Sequence, residues 1–70
     1  MTSVVTLHVA RNPMPFVYRF ASARKARDDT WKCMAAEGAI QVDLEREKPD
    51  GSRLLVASWI KNGGFWIKTP

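Results

Sequence analysis

The sequence predicts an α+β domain, an antiparallel sheet of four or five strands packed on a single helix in the order β-β-α-β-β-β. Three observations predict it. Apolar and polar residues alternate with period two in five short stretches. Residues 22–38 switch to helical spacing. Proline- and glycine-bearing turn sequences punctuate the strands. The chain has 70 residues, so residues 1–70 are read as one domain.

The first strand is read over residues 4–10, where Val5, Leu7 and Val9 alternate with Val4, Thr6 and His8. Asn12-Pro13-Met14-Pro15 ends it in a turn or short loop. Phe16, Tyr18 and Phe20 alternate with Val17, Arg19 and Ala21 in a second strand, forming a hairpin with the first. The helix follows, with Ser22 as N-cap and Gly38 closing the far end. At helical spacing Ala23, Ala26, Thr30, Cys33 and Met34 form an inner face of small residues. Arg24, Lys25, Asp28, Asp29 and Lys32 form the outer one, with Trp31 at the border.

The third strand holds Ile40, Val42 and Leu44 against the wet positions Gln41, Asp43 and Glu45. Lys48-Pro49-Asp50-Gly51-Ser52 makes a turn. The fourth strand runs over residues 54–61 and the fifth over 65–68, joined by Asn62-Gly63 as a type I′ hairpin. With those two loop residues Ile60 pairs with Phe65 and Trp59 with Trp66, and Gly64 leaves room for a one-residue shift that would change these pairs. One helix covers one sheet face. Leu54, Val56, Ile60, Phe65 and Ile67 are expected under it, and Leu55, Ala57, Trp59 and Trp66 on the open side. An open face carrying two tryptophans marks an interaction surface.

Composition excludes several chemistries. Cys33 is the only cysteine, so neither an internal disulfide nor a thiolate zinc cluster forms within the chain. A small secreted domain usually carries several disulfides, so a reducing, cytoplasmic setting is expected. The longest apolar stretch, Leu54 to Ala57 with a tolerated Ser58, falls far short of the roughly 20 residues of a spanning helix, so no membrane partner is expected. The first residues lack a basic segment before their apolar stretch and do not read as a signal peptide.

Catalysis finds little support, and no catalytic residue, metal ligand or cofactor is expected. His8 is the only histidine and sits mid-strand, where a structural role suffices. Cys33 reads as a small core residue and Asp28-Asp29 as a solvated face. Gly63-Gly64 are explained by a hairpin, with no helix following to bind a phosphate.

Binding is better supported. Eleven Lys and Arg against seven Asp and Glu give a net charge of +4, with a pI near 9.7. Arg24, Lys25 and Arg27 occupy the first helical turns, where the dipole disfavours positive charge by a few tenths of a kcal/mol each. Stability alone would not select that. Trp31, Trp59 and Trp66 are able to stack bases while lysines and arginines meet phosphates. The plainer reading is that the indoles fill a thin core and the charges solubilise it. Homodimerisation would also bury Trp59 and Trp66 without any external partner.

The layout carries one resemblance. A basic, alanine-containing helix ends near a cysteine, followed by Gly-Ala-Ile-Gln-Val-Asp-Leu-Glu (residues 38–45), a turn, and Leu-Leu-Val-Ala-Ser-Trp-Ile-Lys-Asn-Gly-Gly-Phe-Trp-Ile-Lys (residues 54–68). This order resembles small phage-encoded anti-CRISPR proteins, in particular a type I-F inhibitor with a five-stranded sheet around one helix. It spans residues 22–68 as element order, basic balance and terminal hairpin. Here the turn at residues 48–52 is longer and the first hairpin differs. The resemblance implies a non-enzymatic inhibitor that binds a crRNA-guided nucleoprotein complex in the host cell and blocks target DNA. The residues expected to bind the partner are Arg24, Lys25 and Lys32 on the helix, Trp59 and Trp66 on the strands, and the flanking Lys61 and Lys68. Direct nucleic-acid binding by the same residues and a homodimeric regulatory role are the alternatives.

Overall fold

Alternation and turn chemistry produce five strands and one helix in a computed structural model that describes residues 1–69. The elements are β1 (Thr2–Val9), β2 (Phe16–Phe20), α1 (Ala23–Met34), β3 (Ala39–Glu47), β4 (Arg53–Asn62) and β5 (Phe65–Thr69). The strands form one sheet in the order β2-β1-β3-β4-β5, each neighbouring pair antiparallel. The α+β layout is the one the sequence predicts.

Ser22 starts the helix as expected. Its backbone is extended and its Oγ accepts the Lys25 N–H at 3.2 Å. Ala26, Thr30, Cys33 and Met34 are the buried stripe, whereas Ala23 is exposed. Thr30 is fully buried, and its hydroxyl donates back to the Arg27 carbonyl at 2.6 Å. The helix stops at Met34, short of Gly38. Ala36 and Ala39 both pack on the core, and the chain reaches them by leaving the helix. Gly38 then takes φ +79°, a left-handed conformation that strains any L residue. A Cβ there would lie 3.1 Å from Cγ1 of Val9.

The helix backbone approaches β3, β1 and β2 but neither β4 nor β5. Residues directly opposite across antiparallel strands share a face. Val5 and Leu7 face the helix together with Leu44 and Val42, their partners on β3. Ala57 lies opposite Leu44, and Trp59 opposite Val42, so both turn toward the helix. This corrects the expected assignment. Trp59 is buried on the helix side, with Trp66 half-buried beside the same core, while Ile60, Ile67 and Phe65 occupy the open face. Leu55, opposite Glu45, is also on the open face.

Two local features reshape the edge of the sheet. The hairpin loop is Gly63-Gly64, not Asn62-Gly63, so Asn62 pairs with Phe65, Lys61 with Trp66, Ile60 with Ile67 and Trp59 with Lys68. A bulge between Leu44 and Glu45 leaves Val56 without a partner on β3. Beyond it, Leu54 faces the helix side across from Arg46, but the helix does not reach it, and it is half-exposed. Because Trp59 is covered within the chain, a homodimer is no longer needed to bury it.

Candidate functional site

A groove runs between the helix and the uncovered strip of β4 and β5. On α1, Arg24, Arg27 and Trp31 form one wall, with Ala23 at its start. Their spacing of three and four residues sets them in a row on one helix flank. The opposite wall comes from Val56, Ala57, Trp59 and Lys68, and Leu44 and Arg46 of β3 lie at the bottom. A hollow of about 300 Å³ at the Arg24 end and one of about 190 Å³ at the Trp31 end share Arg27, Leu44 and Val56, so the groove is continuous.

Its chemistry is uniform. Arg24, Arg27, Arg46 and Lys68 line it, and no carboxylate does. The ion pairs among the described residues all involve other groups. The helix N-terminus adds its partial positive charge at the Arg24 end. The aromatic part is braced. The Trp31 and Trp59 ring centroids lie 6.4 Å apart at 51°. Lys68 Nζ sits 5.9 Å from the Trp59 ring centre, and Lys61 Nζ lies 6.0 Å from that of Trp66. Trp59 is 8% exposed and acts as the base on which the 62%-exposed Trp31 leans.

The expected binding residues divide between two flanks. Arg24, Trp59 and Lys68 meet in the groove, and Trp66 with Lys61 continues the same sheet face toward the hairpin. Lys25 and Lys32 lie on the other flank of the helix, in a hollow shared with Phe20, Asp28 and Asp29, where two carboxylates offset their charge. Arg27, Trp31 and Arg46 join the groove from outside the expected set. Helical spacing relates Arg27 and Trp31 to Arg24. Arg46 carries no sequence signal, because the bulge that opens the groove above it is not legible in the chain.

The far face of the sheet is organised differently. Asp43, Glu45 and Glu47 of β3 line up at every second position. Asp43 accepts hydrogen bonds from Ser58 Oγ and from Gln41 Nε2 at 3.0 Å, and lies 3.4 Å from His8 Nε2. Arg53 bridges Glu45 at 3.7 Å and Glu47 at 3.5 Å, and Arg19 reaches Glu47 at 3.7 Å. His8, Asp43 and Ser58 do not form a nucleophile–base pair, because the hydroxyl donates to the carboxylate and not to the imidazole.

The Cys33 thiol is pushed up to about 12, first by burial, then by the nearby Asp29 carboxylate, to which it also donates a hydrogen bond. It stays protonated near neutral pH and has no nucleophilic character there. Asp50 is lowered by hydrogen bonds from the Ser52 hydroxyl and N–H, which brace the β3–β4 turn. Among the described residues no three His, Cys, Asp or Glu side chains gather as metal ligands, and no helix is long and apolar enough to cross a membrane. Compared with known families, curated proteins and solved structures, the chain has no match, so the groove itself carries the functional reading.

Proposed function

We propose that this chain is a small non-enzymatic binding protein that docks on a nucleoprotein complex through the groove, acting in the host cytoplasm as an inhibitor of the anti-CRISPR kind. One observation carries the reading. The groove gathers Arg24, Arg27, Arg46 and Lys68 around tryptophan with no carboxylate in its lining. Cations left without counter-charges repel one another, and a polyanionic surface relieves that repulsion. Binding of this kind weakens with salt. Covering an anionic component of the complex, such as its guide RNA, keeps target DNA from pairing with it, which is the action the layout's resemblance implies.

The test uses a purified type I-F surveillance complex and labelled target duplex. The protein is expected to block target loading, and Arg24→Glu/Arg27→Glu is expected to lose the block while unfolding at the same temperature. Target loading that proceeds unchanged at micromolar protein would contradict the proposal.

A further inference from the structure

We infer that the groove takes a single strand of nucleic acid, with phosphates on Arg24, Arg27 and Arg46 and one base stacked on Trp31. The inference rests on the nucleoprotein reading and deepens it. The component touched is the strand itself and not an acidic protein surface.

Trp31 is the residue that stability does not explain. It stands on the outer border of a helix, 62% exposed, and its burial contributes little to the core. Yet it has a support within the chain, because it leans on the buried Trp59, beside which Lys68 also sits. An open indole surface held in one place is a platform for a flat ring, since little side-chain freedom is lost when the ring arrives. Arginines one and two turns before it on the same flank, about 6 and 10 Å along the axis, supply phosphate contacts next to that platform. Aromatic surface interleaved with cations in a groove is the chemistry of single-strand recognition.

A duplex keeps its base faces stacked inside and offers only phosphates, so it would use the arginines and leave Trp31 idle. An acidic peptide offers carboxylates without a flat ring to stack.

Fluorescence anisotropy tests this with labelled oligo-dT and oligo-U strands and a duplex of equal length. Both single strands are expected to bind more tightly than the duplex. Three phosphate contacts give a salt slope of about 2, so affinity should fall roughly 20-fold between about 50 and 200 mM salt. Trp31→Ala should weaken single-strand binding by about 5- to 100-fold without changing duplex binding or the unfolding temperature. Trp31→Phe should retain most of the affinity. Equal affinity for duplex and single strand, or a Trp31→Ala variant that binds single strands as well as the parent, would overturn the inference. If no oligonucleotide binds while the block of target loading persists and depends on Arg24 and Arg27, the strand is wrong and the nucleoprotein reading stands. If both are lost, both fall.

Discussion

On the far face of the sheet, each carboxylate of β3 has a partner. Asp43 is met by Ser58, Gln41 and His8, Glu45 by Arg53, and Glu47 by Arg53 and Arg19. On the helix side, the groove cations face indoles and one another, with no carboxylate in the lining. The two surfaces lie back to back across one layer of backbone. Charges that serve the fold are paired, and their worth is modest even so, typically below about 1 kcal/mol per exposed pair. Arg24, Arg27 and Arg46, left without a carboxylate partner near an exposed tryptophan, are available to a partner.

The largest effect that would sharpen this contrast is in the groove's support. Trp59→Ala removes a buried indole and is expected to cost about 3–5 kcal/mol in denaturant unfolding. A loss below about 1 kcal/mol would place Trp59 on a wet face and undo the assignment of the two sides. Next comes Asp43→Ala, which strips the acceptor from Ser58, Gln41 and His8. The expected cost is about 1–3 kcal/mol, read from the same unfolding curves. A neutral result would mean that the far-face network is not structural.

Charge reversals follow. Arg53→Glu sets a third carboxylate beside Glu45 and Glu47, and should lower stability by about 1 kcal/mol. Arg24→Glu/Arg27→Glu should move stability by no more than about 0.5 kcal/mol, with a small gain possible because acidic groups favour a helix N-terminus. A destabilisation by the groove pair as large as that of Arg53→Glu would break the contrast.

The smallest effect is in pH. Burial, and then the Asp29 carboxylate, push the folded Cys33 thiol up from its ordinary 9.0 to about 12, so the fold disfavours the thiolate. A group raised on folding contributes its stability in full below the unfolded value. That contribution therefore declines as pH rises from about 9 toward 12. Below that window folded Cys33 should resist alkylation at pH 8, where the denatured chain reacts. Rapid labelling of the folded protein would contradict the burial of this thiol under the helix.

The elements were legible because their signals are local. Alternation in Val5-Thr6-Leu7 and Val42-Asp43-Leu44, the Ser22 cap and the prolines and glycines of the turns each act within a few residues. Which sheet face the helix covers is a non-local matter. Ile60 and Ile67 are better core residues by type than Ala57, but Ala57 and Trp59 stand opposite Leu44 and Val42, and the register of β3 decides. The unpaired Val56 was invisible for the same reason. In the site, Arg24, Lys61, Lys68, Trp59 and Trp66 were legible as basic and aromatic residues on three elements. Lys25 and Lys32 were grouped with Arg24 across too wide an arc. At about 100° per residue, Arg24, Arg27 and Trp31 fall within about 60° of one another, whereas Lys25 and Lys32 stand about 80–100° from Arg24.

The central contrast between a paired face and an unpaired groove is tested most directly by two double reversals of equal charge. Arg24→Glu/Arg27→Glu changes the groove and Arg19→Glu/Arg53→Glu changes the far face, each altering net charge equally. Anisotropy of a labelled single strand, titrated at about 50 mM salt, compares them. Loss of binding in the groove variant, with near-parental binding in a less stable far-face variant, is the expected result. Equal loss in both would show that overall charge governs binding and that the groove is not the site.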